Sequence, residues 1–513
     1  MGKRTLIALF VIPALVTAGV YVAARYLAPA TDHAIEHTPD EAFFYSSLFL
    51  KPSTNQRKAL RDLLARFPSA GNPDESGEAL DDLLKDVFDD LDLSYLDDVK
   101  PWIGTEIAFW ATPPDDDTDD FGWALMIATK DEAAAAAAVQ KSAAIHDGSK
   151  ADPFTIDGPN AFIEDGFVNL MNNSAQGPWK RMHGDDAPPP LAHSKRFNDA
   201  IALLPQDRIA LAYFDPVPLF GGIPPDQVTD VIESALGPYA TETQAAVAYL
   251  REDAIIFESA SPHALEGHGG SPDPHRGLLE EVPKGSWGAA GVDDFGEVIR
   301  TAANGFAAGD FGVLGFGALR EVFRQETGLD LDADLLDWIG DVGFFVLGGP
   351  GPVNGGAIIE STDPDASLRA LRKIGGVLKI RGAPVRFLPE GNDGFLLRIP
   401  GFPFPLYAIS ETSDPDRVIV GIAPPPADRW LGVNQLGESE EFRAARADLG
   451  DGFATGFYLA PQKILEVIRA AGADQDQTFE KDVAPNLEVL THIVGGSRVD
   501  GDTVYRRLVI GVK

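Results

Sequence analysis

Acidic side chains are the most concentrated chemical groups in this sequence. Five aspartates fall within six positions: Asp115, Asp116, Asp117, Asp119 and Asp120. Their hard carboxylate oxygens are ligands of the kind that calcium prefers. Asp115, Asp117 and Asp119 are therefore candidate metal ligands. The cluster lacks the alternate acids, sixth-position glycine and final glutamate of an EF-hand loop. A solvated hairpin tip is the favoured interpretation.

Two further groups of residues resemble ligand sites only in part. His263, His268 and His275 lie in a stretch rich in glycine and proline, which offers no rigid frame for a metal. The run Gly348 to Gly351 follows a predicted strand, as a phosphate-binding loop would, but it lacks the Gly-Lys-Ser/Thr ending and leads to another strand. It is predicted to be a hairpin loop.

The common catalytic motifs do not occur in the sequence. It contains no Gly-x-Ser-x-Gly, no His-Glu-x-x-His, no P-loop and no Ser-x-x-Lys paired with Lys-Thr-Gly. This favours a protein that is not an enzyme, and we predict no cofactor. A metal-assisted hydrolase is the alternative, because a fold can bring together acids that are far apart in sequence.

Composition narrows the possible partners. The 513 residues include 78 acidic against 42 basic ones, a formal net charge of -36, so the long-range field repels nucleic acid. The absence of cysteine excludes disulfides, Cys-ligated zinc and thiol nucleophiles. The hydrophobic fraction of 44 % is ample for folded domains, and the length predicts two of them.

The N-terminal segment predicts a membrane anchor. An uncharged run from Thr5 to Ala24 follows Lys3 and Arg4, and about 20 helical residues span the hydrocarbon core. The bilayer would contact the apolar side chains of this run, among them Leu6, Phe10, Val16 and Val20. Residues 1–36 are accordingly predicted to comprise a cytoplasmic stub, a single-pass helix and a short stalk, with the bulk of the chain extracytoplasmic.

A cleaved signal peptide is the alternative, because Ala28-Pro29-Ala30 has the small-x-small form of a cleavage site. The chain would then be secreted. Either interpretation places most of it outside the cytoplasm.

Short matches between the two halves indicate an internal repeat. Ser194 to Phe197 matches Ser439 to Phe442, and Tyr213 to Pro216 matches Tyr458 to Pro461 at the same offset. We predict a first repeat over 37–260, a linker rich in glycine, proline and histidine over 261–277, and a second repeat over 278–513. The residues that define the repeat are Trp102, Gly104 and Phe197 in the first copy and Trp338, Gly340 and Phe442 in the second.

The repeated Trp-Ile-Gly sequence has two interpretations. The tryptophans could line a ligand groove in each copy. Packing of a helix against a sheet is the favoured interpretation, since aromatic side chains dominate protein cores.

Hydrophobic periodicity predicts an α+β fold. Leu60, Leu63, Leu64 and Phe67 follow helical spacing, as does a second stripe from Leu80 to Leu91, and the alanine-rich stretch from Glu132 to Ala144 favours a helix. Short β-rich runs occur in pairs rather than singly between helices, which is typical of antiparallel sheets with helices packed on a face. We predict these strands at 107–111, 123–128, 161–163, 167–171, 209–214, 254–258, 343–347, 357–360, 395–399, 418–422, 455–459 and 504–512.

Several of these segments resemble a bacterial family, domain of unknown function 3352. The resemblance rests on the N-terminal segment, the stretch Glu41 to Tyr45, the stretch Asp98 to Gly104, and the later Phe197 and Asp215-Pro216. It would extend over nearly all of the exported part and restart at Val282 to Trp287. The resemblance implies an anchored, exported protein with no assigned chemistry, and no catalytic residue follows from it.

The sequence as a whole therefore predicts a membrane-anchored extracytoplasmic protein with a non-catalytic binding or envelope-associated role. Its expected partners are the lipid bilayer, through the N-terminal helix, and an envelope protein or small ligand. A structural spacer or assembly factor is a further alternative beside the hydrolase.

Overall fold

The computed structural model describes most of the chain after residue 30. The described residues are 31–68, 94–114, 120–141, 146–147, 160–183, 187–220, 243–261, 277–300, 316–348, 354–388, 393–398, 400, 404–410, 416–422 and 435–513.

The described part of the first half contains nine strands and four α-helices. The strands are β1 (Phe44–Phe49), β2 (Ile103–Pro114), β3 (Phe121–Thr129), β4 (His146–Asp147), β5 (Asn160–Glu164), β6 (Phe167–Met171), β7 (Ala210–Phe214), β8 (Gln244–Arg251) and β9 (Ala254–Ser261). The helices are α1 (Thr54–Leu64), α2 (Glu132–Lys141), α3 (Gln176–Met182) and α4 (Lys195–Ala202).

The described part of the second half contains ten strands and five α-helices. The strands are β10 (Gly288–Val292), β11 (Ile339–Leu347), β12 (Asn354–Ser361), β13 (Val385–Phe387), β14 (Gly394–Leu397), β15 (Leu406–Ser410), β16 (Arg417–Ile422), β17 (Ala454–Leu459), β18 (Leu490–Asp500) and β19 (Thr503–Val512). The helices are α5 (Phe316–Thr327), α6 (Pro364–Ile380), α7 (Glu440–Leu449), α8 (Pro461–Ala470) and α9 (Ala484–Glu488).

Strand pairing follows the same order in both halves. In the first half the order is β5-β6-β3-β2-β1-β7-β8-β9, with β4 beside β5 in a parallel pair. In the second half it is β13-β14-β15-β16-β12-β11-β10-β17-β18-β19. Every other described pair is antiparallel. In the first half β1 lies between β2 and β7, and in the second half β10 lies between β11 and β17. Strands β7 and β17 each follow a helix that starts at a Ser-x-x-Phe sequence.

Pairing of β9 with β19 joins the two halves into one sheet. The register runs from Val504 opposite Ser261 to Gly511 opposite Ala254. The nineteen described strands are thereby continuous, and the last strand of each half lies in the middle of the joined sheet.

Helices pack on both faces of the sheet, because successive strand residues point to opposite sides. On one face of the first half, Leu60 of α1 and Val139 of α2 pack around Trp102. On the other face, Phe197 of α4 packs with Tyr45 and Trp110. The second half has matching cores, one around Trp338 with α6 and one around Phe442 of α7.

The α+β fold with a large antiparallel sheet is as the sequence predicts, although the helices cover both faces rather than one. Helix α1 begins after Ser53, whose hydroxyl accepts a hydrogen bond from the Gln56 amide at 3.2 Å and so caps the helix. All twelve predicted strands overlap observed ones. The predicted helix from Leu80 to Leu91 and the linker residues 262–276 lie outside the described residues.

Candidate functional site

The candidate metal ligands and the anchor residues fall outside the part of the chain that the structure describes. This applies to Asp115, Asp117 and Asp119, and to Leu6, Phe10, Val16 and Val20. Among the described residues, no group of three or more acidic or histidine side chains is arranged to hold a metal ion. The helices between residues 31 and 513 that can be described include none with the length and apolar character needed to cross a bilayer.

Trp102 and Trp338 occupy equivalent buried corners of the two halves. Their side chains are 2 % and 3 % exposed, so they belong to the core and do not line a groove. Each indole N–H donates to a backbone carbonyl four residues earlier, on Asp98 and Asp334 respectively. A five-residue π-helix, Tyr95–Val99 or Asp332–Leu336, leads into each corner.

A lysine from the following helix binds the acid of each corner. Lys141 of α2 lies 2.6 Å from the Asp98 carboxylate, and Lys373 of α6 pairs with Asp334. The hydrogen bond from Lys141 lowers the pKa of Asp98. Each pair joins the following helix to the π-helix that leads into the tryptophan corner.

The other repeat-defining residues are also structural. Phe197 and Phe442 are 4 % and 0 % exposed, and their rings meet Tyr213 and Tyr458 edge-on at centroid distances of 5.0 and 5.3 Å. Such aromatic pairs stabilise a core beyond the area that they bury.

A buried polar cluster lies where the described chain begins. Asp32 accepts hydrogen bonds from the hydroxyls of Tyr45 at 2.5 Å and Ser47 at 3.1 Å. Both carboxylate oxygens of Glu106 accept from the backbone amide of His33, at 3.1 and 3.2 Å. Residues 32–35 are thus held against strands β1 and β2.

Electrostatics in this cluster favour protonated acids. Burial, followed by the charge of Asp32, raises the pKa of Glu106 to about 8. Burial also raises the pKa of Asp32 and lowers the pKa of Arg208. Arg208 Nη1 is buried and has no hydrogen-bond partner. The two acids share one small volume, so their titrations are coupled.

A second polar cluster clamps the two halves together. Glu258 on β9 accepts from Arg507 on β19, with Nη2 and Nε at 2.9 and 3.0 Å from Oε2. The Tyr249 hydroxyl donates to the same oxygen at 2.9 Å. Burial, together with the Glu258 charge, raises the pKa of Tyr249 to about 12. The Arg507 guanidinium also lies 4.2 Å from the centroid of the Phe453 ring.

A cavity of about 580 Å³ lies on the sheet at the junction of the halves. Its walls come from six adjacent strands, three from each half: β7, β8, β9, β19, β18 and β17. Alanine and glycine are frequent in the lining, and they leave room above the sheet. The cavity therefore requires both halves.

The cavity opens on the face opposite to the Glu258–Arg507 clamp. Tyr249, Phe453 and Tyr505, which surround the clamp, do not line it. Glu258 and Arg507 also border the cavity, as do Leu211 and Val247. The side chains of all four point to the clamp side of the sheet, so these residues contribute only backbone. On the cavity face, Phe257, Phe457 and Leu508 are half-buried.

Strand register arranges the cavity side chains in two rows across the sheet. The apolar row runs Ala210, Ala248, Phe257, Leu508, Gly495, Phe457. The polar row runs Ala212, Ala246, Ser259, Arg506, Ser497. Directly opposed residues share a face, so both rows point into the cavity.

The cavity was not predicted from the sequence. Strands β8 and β18, which supply much of its lining, were not recognised, because alanine and glycine are poor indicators of strands. The available signal was the pair Gly495-Gly496 within an otherwise β-rich run, which marks a close approach to a strand.

Comparison with known proteins gives one match. A family model described as "Protein of unknown function (DUF3352)" matches residues 5–155. No curated protein and no solved structure matches the chain. The matched region includes the N-terminal apolar run, the polar cluster and the Trp102 corner, but it ends within the first half, whereas the sequence predicted a resemblance over nearly all of the exported part. Over residues 5–155 the chain thus resembles the DUF3352 proteins, as its sequence motifs predicted.

Proposed function

We propose that this chain is a membrane-anchored, extracytoplasmic protein that binds a ligand without converting it, and that the junction cavity holds this ligand. The cavity itself is the observation that carries the proposal. Its volume of about 580 Å³ lies within the range of small-molecule sites, which is about 300–1,000 Å³. Both halves line it, so the paired architecture has a use that neither half has alone.

The side chains of the apolar row favour an apolar ligand. Phe257, Phe457 and Leu508 are half-buried. Ala210 and Ala248, at the first-half end of the row, are buried in the Trp102 core, and Phe257 packs against that core, so the open apolar surface is centred on Leu508 and Phe457. Covering them would gain about 25 cal/mol for each Å² removed from water.

The alternative of a hydrolase has less support. Asp32 and Glu106 form a buried acid pair, but backbone amides and hydroxyls occupy their oxygens and neither lines the cavity.

We further infer that the two halves are diverged copies of one module. The common strand order, the equivalent tryptophan corners and the two aspartate–lysine pairs support this inference. Superposition of residues 37–260 on 278–513 in an experimental structure tests it.

Placement outside the cytoplasm rests on the N-terminal run. Thr5 to Ala24 is long enough to span a bilayer, and the family match begins at residue 5, so the run is part of what the family shares. The bilayer is the partner that this run predicts.

The cavity is tested by photo-crosslinking. The full chain, reconstituted in phospholipid nanodiscs, is irradiated with a long-chain alcohol that carries a diazirine, and the labelled peptides are identified by mass spectrometry. We expect label on strands β8, β9, β18 and β19. Ala246→Trp, which places an indole in the cavity, should lower this label several-fold.

Ala333→Trp, at an exposed position remote from the cavity lining, is the matched control and should leave the label unchanged. Label confined to the N-terminal segment, in wild-type protein as in the variant, would refute a ligand site in the cavity.

The anchor is tested by fractionation. The full chain should stay with membranes through an alkaline wash, and external protease should digest it in spheroplasts. Val16→Arg places a charge at the centre of the run, at a cost of about 2.5–3.5 kcal/mol, and should shift chain out of the membrane fraction. Wild-type chain recovered from the cytosol would contradict this placement.

A further inference from the structure

We propose that the ligand of the junction cavity is a long-chain carboxylate, whose head group binds Arg506 and whose chain lies along the apolar row. This inference rests on the proposed function and deepens it by naming the class of ligand.

Three side chains form the polar end of the cavity. Ser259 and Ser497 lie directly opposite Arg506 on its two neighbouring strands, so all three point to the same face. The guanidinium offers paired N–H donors that match the two oxygens of a carboxylate, and the flanking hydroxyls can donate as well. Two residues along β19, Leu508 begins the apolar part of the wall.

Arg506 lacks an acid of its own. No carboxylate of the described residues lies within ion-pair distance of it, and its neighbours on the cavity face, Val504, Leu508, Ser259 and Ser497, are uncharged. The adjacent Arg507, on the other face, is bound by Glu258. In a chain with 78 acidic and 42 basic residues, an arginine that faces a cavity without an acid is available for an external anion.

A single charge suits this site better than a phosphate dianion. The guanidinium neutralises one negative charge, and the two hydroxyls can add hydrogen bonds. The overall net charge of -36 disfavours a second negative charge on the ligand. Apolar residues continue on the same face beyond the lining, at Ile255 and Ile510, which lie opposite each other. They extend the path for a chain.

The experiment compares two probes in the nanodisc-reconstituted full chain. One is a diazirine-bearing long-chain carboxylate, and the other is the alcohol of the same chain length, both at a pH where the carboxylate is ionised. We expect the carboxylate probe to label the cavity strands at about tenfold lower concentration than the alcohol probe. This factor corresponds to the lower part of the range of free energies for hydrogen bonds to charged groups, because Arg506 is exposed.

Arg506→Gln should abolish the preference for the carboxylate, so that the two probes label the cavity strands at similar concentrations. Arg506→Lys should keep part of the preference, since it keeps the charge but loses the paired geometry. Arg386→Gln, at an exposed strand position outside the cavity, is the matched control and should behave as wild type.

The outcomes separate the two proposals. Equal labelling by both probes, unchanged in Arg506→Gln, would overturn the inference and leave an apolar site in place. A failure of both probes to label the cavity strands would overturn the proposed function as well.

Discussion

The buried carboxyl group of Glu106 makes the stability of the folded protein depend on pH. It is 1 % exposed, lies near Asp32 and has a pKa of about 8 in the folded protein. In the unfolded chain the same group titrates near 4.5. Between these values the folded state holds a proton that the unfolded state has released, so stability falls as the pH rises.

Replacement of Glu106 by glutamine removes the carboxyl group that takes up this proton. We expect wild-type stability to fall by about 3–5 kcal/mol between pH 5 and pH 9 through this group, and Glu106→Gln to lack that part of the fall. Urea unfolding of the full chain at a series of pH values measures the difference, which corresponds to about one bound proton.

Glu252→Gln, at an exposed turn, is the control and should keep the wild-type pH dependence. The same slope in Glu106→Gln and wild type would show that Glu106 is ionised in the folded protein at neutral pH.

The sequence predicted the buried aromatic residues correctly but not the polar clusters. Trp102 and Phe197 belong to apolar, periodic or repeated motifs, so their burial follows from the pattern. Asp32 and Glu106 meet only because β1 and β2 pair, and Glu258 meets Arg507 across a sequence separation of 249 residues. No local pattern encodes such contacts.

At the scale of elements, two equivalent glycines differ in how closely a neighbouring strand approaches. A Cβ on Gly104 would lie 2.7 Å from the backbone oxygen of Ala128, whereas one on Gly340 would lie 3.1 Å from a methyl group of Thr362. The contact at Gly104 is with rigid backbone. At Gly340 the nearest atom belongs to a side chain that can move, and the backbone oxygen of Glu360 lies farther away, at 3.2 Å.

Gly104→Ala should therefore destabilise the protein by about 1–3 kcal/mol, and Gly340→Ala by less than about 1 kcal/mol. Thermal or urea unfolding of the two variants gives the ranking. Gly376→Ala is the control, because a Cβ there meets nothing within 4 Å and alanine favours helix α6 by about 1 kcal/mol. An equal loss in the two strand variants would mean that the tight approach at Gly104 does not exist.

Matching the halves by sequence alone placed one strand out of register. The sequence aligns Ala124-Leu125-Met126 with Ala357-Ile358-Ile359, which matches Met126 with Ile359. In the structure Met126 packs on the Tyr45 side of the sheet, and the residue on the corresponding side of the second half is Ile358. A shift of one residue exchanges the two faces of a strand, and a short apolar motif cannot detect it.

At the scale of the molecule, the Glu258–Arg507 pair makes the stability of each half depend on the other. The side chains are 5 % and 19 % exposed, so removal of one partner leaves a largely buried charge. We expect Glu258→Ala to cost about 3 kcal/mol, and the two halves to unfold in one transition in wild-type protein. Urea unfolding followed by tryptophan fluorescence measures both.

Glu321→Ala is the corresponding control, because the pair of Glu321 with Arg324 is exposed on helix α5. Loss of this exposed pair should leave the unfolding midpoint unchanged within the error of the measurement. A similarly unchanged midpoint for Glu258→Ala would contradict the role of the clamp.

The central position of β19 has a consequence for synthesis. Until this strand is made, β9 presents a free row of backbone donors and acceptors, although β9 itself is complete some 240 residues earlier. A nascent or truncated chain thus exposes a strand edge that another molecule can pair with, and it also lacks the wall that carries Arg506. Chains that stop before Thr503 should therefore aggregate and fail to bind ligand, both because strand β19 is missing.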